Sequence, residues 1–96
     1  MTIKTIIELQ AKPGQRAELM RIMDEIIATM RQVPGFQGIS RYEVLDDPDK
    51  LVEIAEWASP EARQTWLDQS AETGVLKPLF EILGAPFKAL NVRQMD

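Results

Sequence analysis

Residues 34–62, PGFQGISRYEVLDDPDKLVEIAEWASPEA, set the architecture of this chain. Pro34 and Gly35 stop whatever precedes them, because proline disfavours helical geometry in the residue before it and glycine readily leaves the helical region. FQGISRYEVLDDPDKLVEIAEW then reads as two extended segments, about 36–45 and 50–58, joined into a hairpin by an Asp-Pro-Asp turn. Ser59-Pro60-Glu61 is a compact helix start. Serine caps the first free amides, proline suits the first helical position, and glutamate favours the positive end of the helix dipole.

Upstream, TIKTIIELQAKPG alternates, with Ile3, Thr5, Ile7, Leu9 and Ala11 on one side and Lys4, Ile6, Glu8 and Gln10 on the other. Pro13 and Gly14 end this strand. GQRAELMRIMDEIIATMRQV follows, with Leu19, Met20, Met23, Ile26, Ile27 and Met30 at the spacing of one buried helical stripe. Met20, Met23 and Met30 read as core packing. Downstream, the second helix runs to about Glu72, Thr73-Gly74 breaks it, and VLKPLFEILG forms a short helical turn with Leu76, Leu79, Phe80 and Leu83 facing inward. PFKALNVRQM supplies a last strand. The order strand, helix, strand, strand, helix, strand is that of an α+β, ferredoxin-like βαββαβ fold: a four-stranded antiparallel sheet with its helices on one face. Ile6, Val52 or Ala55, and Leu90 or Ala89 place apolar groups on both sides of the inner strands. The sequence therefore predicts two sheets packed face to face in a homodimer.

With 96 residues, 45% of them hydrophobic, the chain suits one soluble domain and leaves no room for a second. Fifteen acidic and eleven basic residues, with no basic stripe, argue against nucleic-acid binding. No basic leader and no apolar run of about 18 residues points to export or a membrane, so a cytoplasmic location is expected. There is no cysteine and no histidine, which removes thiolate and imidazole from any catalytic reading. Asp46, Asp47 and Asp49 lack the glycine and distal glutamate of a calcium loop, and no metal site is expected.

The opening strand with KPGQRAEL, VPGFQG before the second strand, the DDPDKLVEIAEW hairpin and WASPEA entering a helix together resemble the antibiotic biosynthesis monooxygenase domain family. The resemblance covers nearly the whole chain and implies a dimeric α+β barrel. It also implies a reaction of O2 with a small aromatic, quinol or hydroxyanthrone, without metal, flavin or other cofactor. Trp57 matches a strand tryptophan of such domains, while Trp66 stands at about the place where many carry a helix histidine. Some haem-degrading relatives also use an asparagine on the first strand, which this chain lacks. Without histidine there is no obvious proximal iron ligand, and the resemblance does not extend to haem degradation.

Chemistry of this kind needs an aromatic pocket and a donor or cation that stabilises an oxyanion in a dry cavity. Asn91 and Arg93 share a face of the last strand with Phe87 and Ala89 and are the candidate catalytic residues. Trp57, Trp66, Phe80 and Phe87 are candidate substrate contacts, as is one or other of Arg41 and Tyr42, which lie on opposite sides of their strand. Glu53 and Glu56 also alternate, and a partly buried one would become a base if its pKa were raised. A non-catalytic dimeric module of the same fold, holding a small molecule or a partner, is the alternative reading.

Overall fold

The computed structural model describes residues 1–96. The elements are β1 (Ile3–Gln10), α1 (Arg16–Met30), β2 (Phe36–Val44), β3 (Asp47–Trp57), α2 (Pro60–Thr73), α3 (Lys77–Ile82) and β4 (Lys88–Val92). The strands form one sheet in the order β2-β3-β1-β4, antiparallel throughout. This is the ferredoxin-like arrangement that the element order predicts.

Period-two alternation divides the sheet into two faces. On one, Ile3, Thr5 and Leu9 of β1 and Leu51, Glu53, Ala55 and Trp57 of β3 are buried. Against them lies the inner stripe of α1, where Leu19, Ile22, Met23, Ile26, Ile27 and Met30 are buried. Leu9 and Leu19 are each fully buried, and side chains of this size contribute roughly 1.5–3 kcal/mol when taken from water. On the opposite face, cross-strand register lines up Ser40, Ile54, Ile6 and Leu90 in one row and Tyr42, Val52, Glu8 and Lys88 in the next. Thus Val52 and Leu90 belong to the open face, and Ala55 and Ala89 to the helix face.

The hairpin turn is displaced from its expected position. Leu45 and Asp46 make the turn, and Asp47-Pro48-Asp49 already belongs to β3. The register jumps between Glu43, paired with Leu51, and Val44, paired with Asp47, so Pro48 sits in a bulge where its missing N–H costs no ladder bond. The aspartates serve the backbone: Asp47 Oδ1 accepts from Asp49 N–H, and Asp49 Oδ1 accepts from Gly14 N–H at 2.9 Å.

The start of α2 forms as its residues dictate. Ser59 Oγ accepts from Ala62 N–H at 3.1 Å, Pro60 occupies the first turn, and Gly74 closes the helix in the left-handed conformation with φ 71°. Trp66 and Ser70 are buried while Gln69 is exposed, so the inward face runs through Arg63, Trp66, Leu67 and Ser70. In α3, Leu79 is buried but Phe80 is 55% exposed and stacks on Phe87 at 6.0 Å instead of entering the core. Adjacent helix positions point about 100° apart, and this short helix turns Leu79 to the core and Phe80 toward Phe87.

Candidate functional site

A cavity of about 70 Å³ lies between the sheet and the helices. Thr5, Ile7, Ala55 and Trp57 form its floor from β1 and β3; Met23, Ile26 and Met30 of α1 and Trp66 of α2 form its roof. Leu79 and Phe87 close the side nearest β4. Thirteen of the fifteen lining residues are hydrophobic, and the other two are Thr5 and Arg63.

The aromatic wall is held from several directions. Trp57 packs edge-on to Phe36 at 5.1 Å and tilts against Trp66 at 6.3 Å, distances at which ring quadrupoles attract. Trp66 Nε1 donates to Thr29 Oγ1 at 2.9 Å, and that hydroxyl in turn donates to the Ile26 carbonyl. With its one donor engaged, the Trp66 indole is a fixed surface and not a source of protons.

Arg63 is the single charge on the cavity wall, and the expectations drawn from the sequence omitted it. It is half-buried, makes no ion pair or side-chain hydrogen bond, and burial alone pulls its pKa below the ordinary guanidinium range. Arg21 and Arg41, by contrast, are each bound by two carboxylates. A guanidinium retains its charge under such shifts, so Arg63 is an uncompensated cation beside an apolar void. A signal for it exists in the sequence, since Arg63, Trp66, Leu67 and Ser70 follow helical spacing, but that reading depends on knowing how α2 is rotated.

The remaining candidates disperse. Asn91 Oδ1 accepts from Thr5 Oγ1 at 2.8 Å, and Asn91 borders a groove outside the cavity together with Arg93. Arg93 reaches back to Met1 Sδ at the surface. Tyr42 projects from the open face and is 50% exposed. Phe87 touches the cavity, whereas Phe80 lies outside it.

Arg41 does face the helices, yet its Nε donates to Glu53 Oε2 at 2.9 Å and its second terminal nitrogen to Asp24 at 2.8 Å. That cluster lines a separate cleft beside β2. Glu53 is fully buried, and its Oε1 has no hydrogen-bond partner. Burial pushes its pKa up, and the Arg41 contact only partly offsets this. Glu56 lies on the opposite face, paired with Lys4 at 3.5 Å. No carboxylate borders the cavity.

The sequence profile of the family described as antibiotic biosynthesis monooxygenase matches residues 2–72. The chain belongs to the antibiotic biosynthesis monooxygenase family. Solved structures share the whole fold with this family member. A conserved protein from Methanosarcina mazei Go1 superposes with a TM-score of 0.87 at 19% identity, covering 99% of this chain and 94% of that one. Rv0793 from Mycobacterium tuberculosis gives 0.85 at 20% identity, over 100% and 97% of the two chains. SnoaB, a cofactor-independent oxygenase from Streptomyces nogalater, gives 0.81 at 19% identity, over 98% and 95%. No curated protein sequence matches the chain. No helix of this antibiotic biosynthesis monooxygenase family member is long and apolar enough to cross a membrane.

Proposed function

We propose that this protein is a cofactor-independent monooxygenase that oxidises a small electron-rich aromatic, such as a quinol or hydroxyanthrone, with O2. The observation that carries the reading is an apolar cavity walled by Trp57 and Trp66 whose only charge is the unpaired Arg63. Family membership and the fold shared with a cofactor-independent oxygenase support it.

A hydroxyanthrone illustrates the chemistry. Its CH2 group and O2 become C=O and H2O, so the substrate supplies all four electrons and no redox cofactor enters the balance. The ionised substrate gives one electron to O2, the resulting radical and superoxide combine into a carbon-bound peroxide anion, this takes back the proton lost on ionisation to become the hydroperoxide, and loss of water leaves the quinone. The protein's tasks are to favour the anion and exclude water. A cation within about 4–6 Å lowers the pKa of a neighbouring acid by roughly 1–3 units, which is the role assigned to Arg63. The apolar wall strengthens that attraction by keeping the local dielectric low.

Oxygen uptake with a panel of quinols and hydroxyanthrones, measured against autoxidation without protein, tests this function. Uptake above the blank that scales with protein concentration is expected; rates equal to the blank across the panel overturn it. The absence of a carboxylate from the cavity wall favours a second reading, a non-catalytic binding module of the same fold. Quenching of Trp57 and Trp66 by such ligands without turnover identifies that case.

A second copy of the chain fits the open sheet face as partner. Ile54, Ile6 and Leu90 make an apolar row there, flanked by the Lys4–Glu56 and Glu8–Lys50 pairs. Light scattering should give twice the 10.9 kDa of one chain, with Ile54→Glu shifting the mass toward the monomer. A monomer mass at every concentration is the contrary result.

A further inference from the structure

Arg63 lines two spaces at once: the apolar cavity against Trp57 and a groove of about 520 Å³ between the start of α2 and the end of β4. Gln64, Asn91 and Arg93 also border the groove, and no aspartate or glutamate does. In a chain with net charge −4, a groove with two guanidiniums and no carboxylate is a local reversal of sign. The Thr5 hydroxyl occupies Asn91 Oδ1, so the amide nitrogen of Asn91 is its unengaged end.

Volume supplies an independent constraint. The cavity, about 70 Å³, is well below the roughly 150 Å³ in which an engineered apolar cavity holds benzene. An aromatic seated against Trp57 must therefore displace side chains or extend outward. Arg63 is the one residue that borders both the cavity and the groove, and the groove's volume falls within the range of roughly 300–1,000 Å³ usual for ligand sites.

We propose that the groove is the outer half of the substrate site and binds a carboxylate carried by the aromatic ring held in the cavity. The substrate class is then an aromatic carboxylic acid. Arg63 stands at the junction, where its planar guanidinium presents donors to the ring's oxygen on one side and to the carboxylate on the other. Arg93 adds the second charge, and the Asn91 and Gln64 amides add neutral donors. This assignment rests on the cavity being the substrate site of the proposed function.

Calorimetric titration with 2-naphthoate and 2-naphthamide, which share a ring system and differ in charge, tests it without requiring turnover. At low ionic strength the carboxylate should bind about tenfold or more tightly than the amide, the scale of one charge-assisted hydrogen bond. The ratio should shrink as salt is added. It should fall to within about twofold in the Arg63→Gln, Arg93→Gln double variant and recover in part with Arg63→Lys, circular dichroism confirming the fold of each. Equal affinities for the two ligands, binding of neither, or a salt-independent ratio overturns the proposal, and should the double variant not fold, the salt series on the parent protein decides. Charge-selective binding without oxygen uptake on any substrate would remove the monooxygenase reading and keep the carboxylate site. Turnover of neutral quinols with no carboxylate preference would do the reverse.

Discussion

Trp66 on α2 and Thr29 on α1 are joined by an indole N–H to hydroxyl hydrogen bond of 2.9 Å across 37 residues of sequence. It ties the two helices over the cavity and determines which edge of the indole faces Trp57. Thr29→Val keeps the shape but leaves a buried N–H without an acceptor, and is expected to cost about 1–3 kcal/mol. Urea denaturation checks this. A double-mutant cycle with Trp66→Phe should show a coupling of roughly 0.5–3 kcal/mol, since the two side chains touch directly.

Arg63 has no partner to lose. Replacing it by glutamine should change stability by less than about 0.5 kcal/mol, the range of substitutions that break no specific contact. Under the proposed function, oxygen uptake should fall by about 10²–10³-fold, as when a single oxyanion donor is removed. Thermal denaturation and oxygen-electrode assays on the same preparation separate the two effects.

Glu53 gives the protein a pH dependence whose sign can be worked out. Its pKa in the folded chain is raised by burial above the ordinary value, about 4.3. A raised value means that the folded state binds the extra proton, so this group's stabilising contribution is present at low pH and is lost as pH rises through the folded pKa. Glu53→Gln mimics the protonated carboxyl and removes that loss. The stability of the variant relative to the parent should therefore rise from pH 4 upward and level off above the folded pKa. Glu18, whose pKa Arg21 lowers, is common to both proteins and drops out of the difference. Melting temperatures of both proteins over pH 4–8 test the slope.

Gly35 allows β2 and α2 to approach. Its φ is +98°, and a Cβ built there would lie 2.7 Å from the Ala62 Cβ. Its carbonyl also accepts from Ala58 N–H at 2.7 Å, so the backbone is held in place. Gly35→Ala should destabilise by more than about 1 kcal/mol, combining backbone strain with a steric shift of α2. Chemical denaturation measures the loss, and a shift in Trp57 and Trp66 fluorescence should report the displaced helix.

Much of the fold was legible because its signals are local. Alternation in TIKTIIELQ, the stripe on α1, the Ser59-Pro60 cap and the glycine at position 74 each act within a few residues, and together they specify the element order. The hairpin turn was misplaced because proline between aspartates suits both a turn and a strand bulge. Only the pairing of Val44 with Asp47 distinguishes them.

By itself, then, the sequence determined the strands and helices, their order, Trp57 as an inward aromatic, and the absence of imidazole and thiolate chemistry. Tertiary structure decided everything that depends on rotation and register. It turned Phe80 outward and Arg63 inward, placed Tyr42 on the open face, and buried Glu53 in a cluster apart from the cavity. The physical reason is that periodicity separates the faces of an element but carries no information about which neighbour covers each face. That choice is made by packing among residues far apart in the chain.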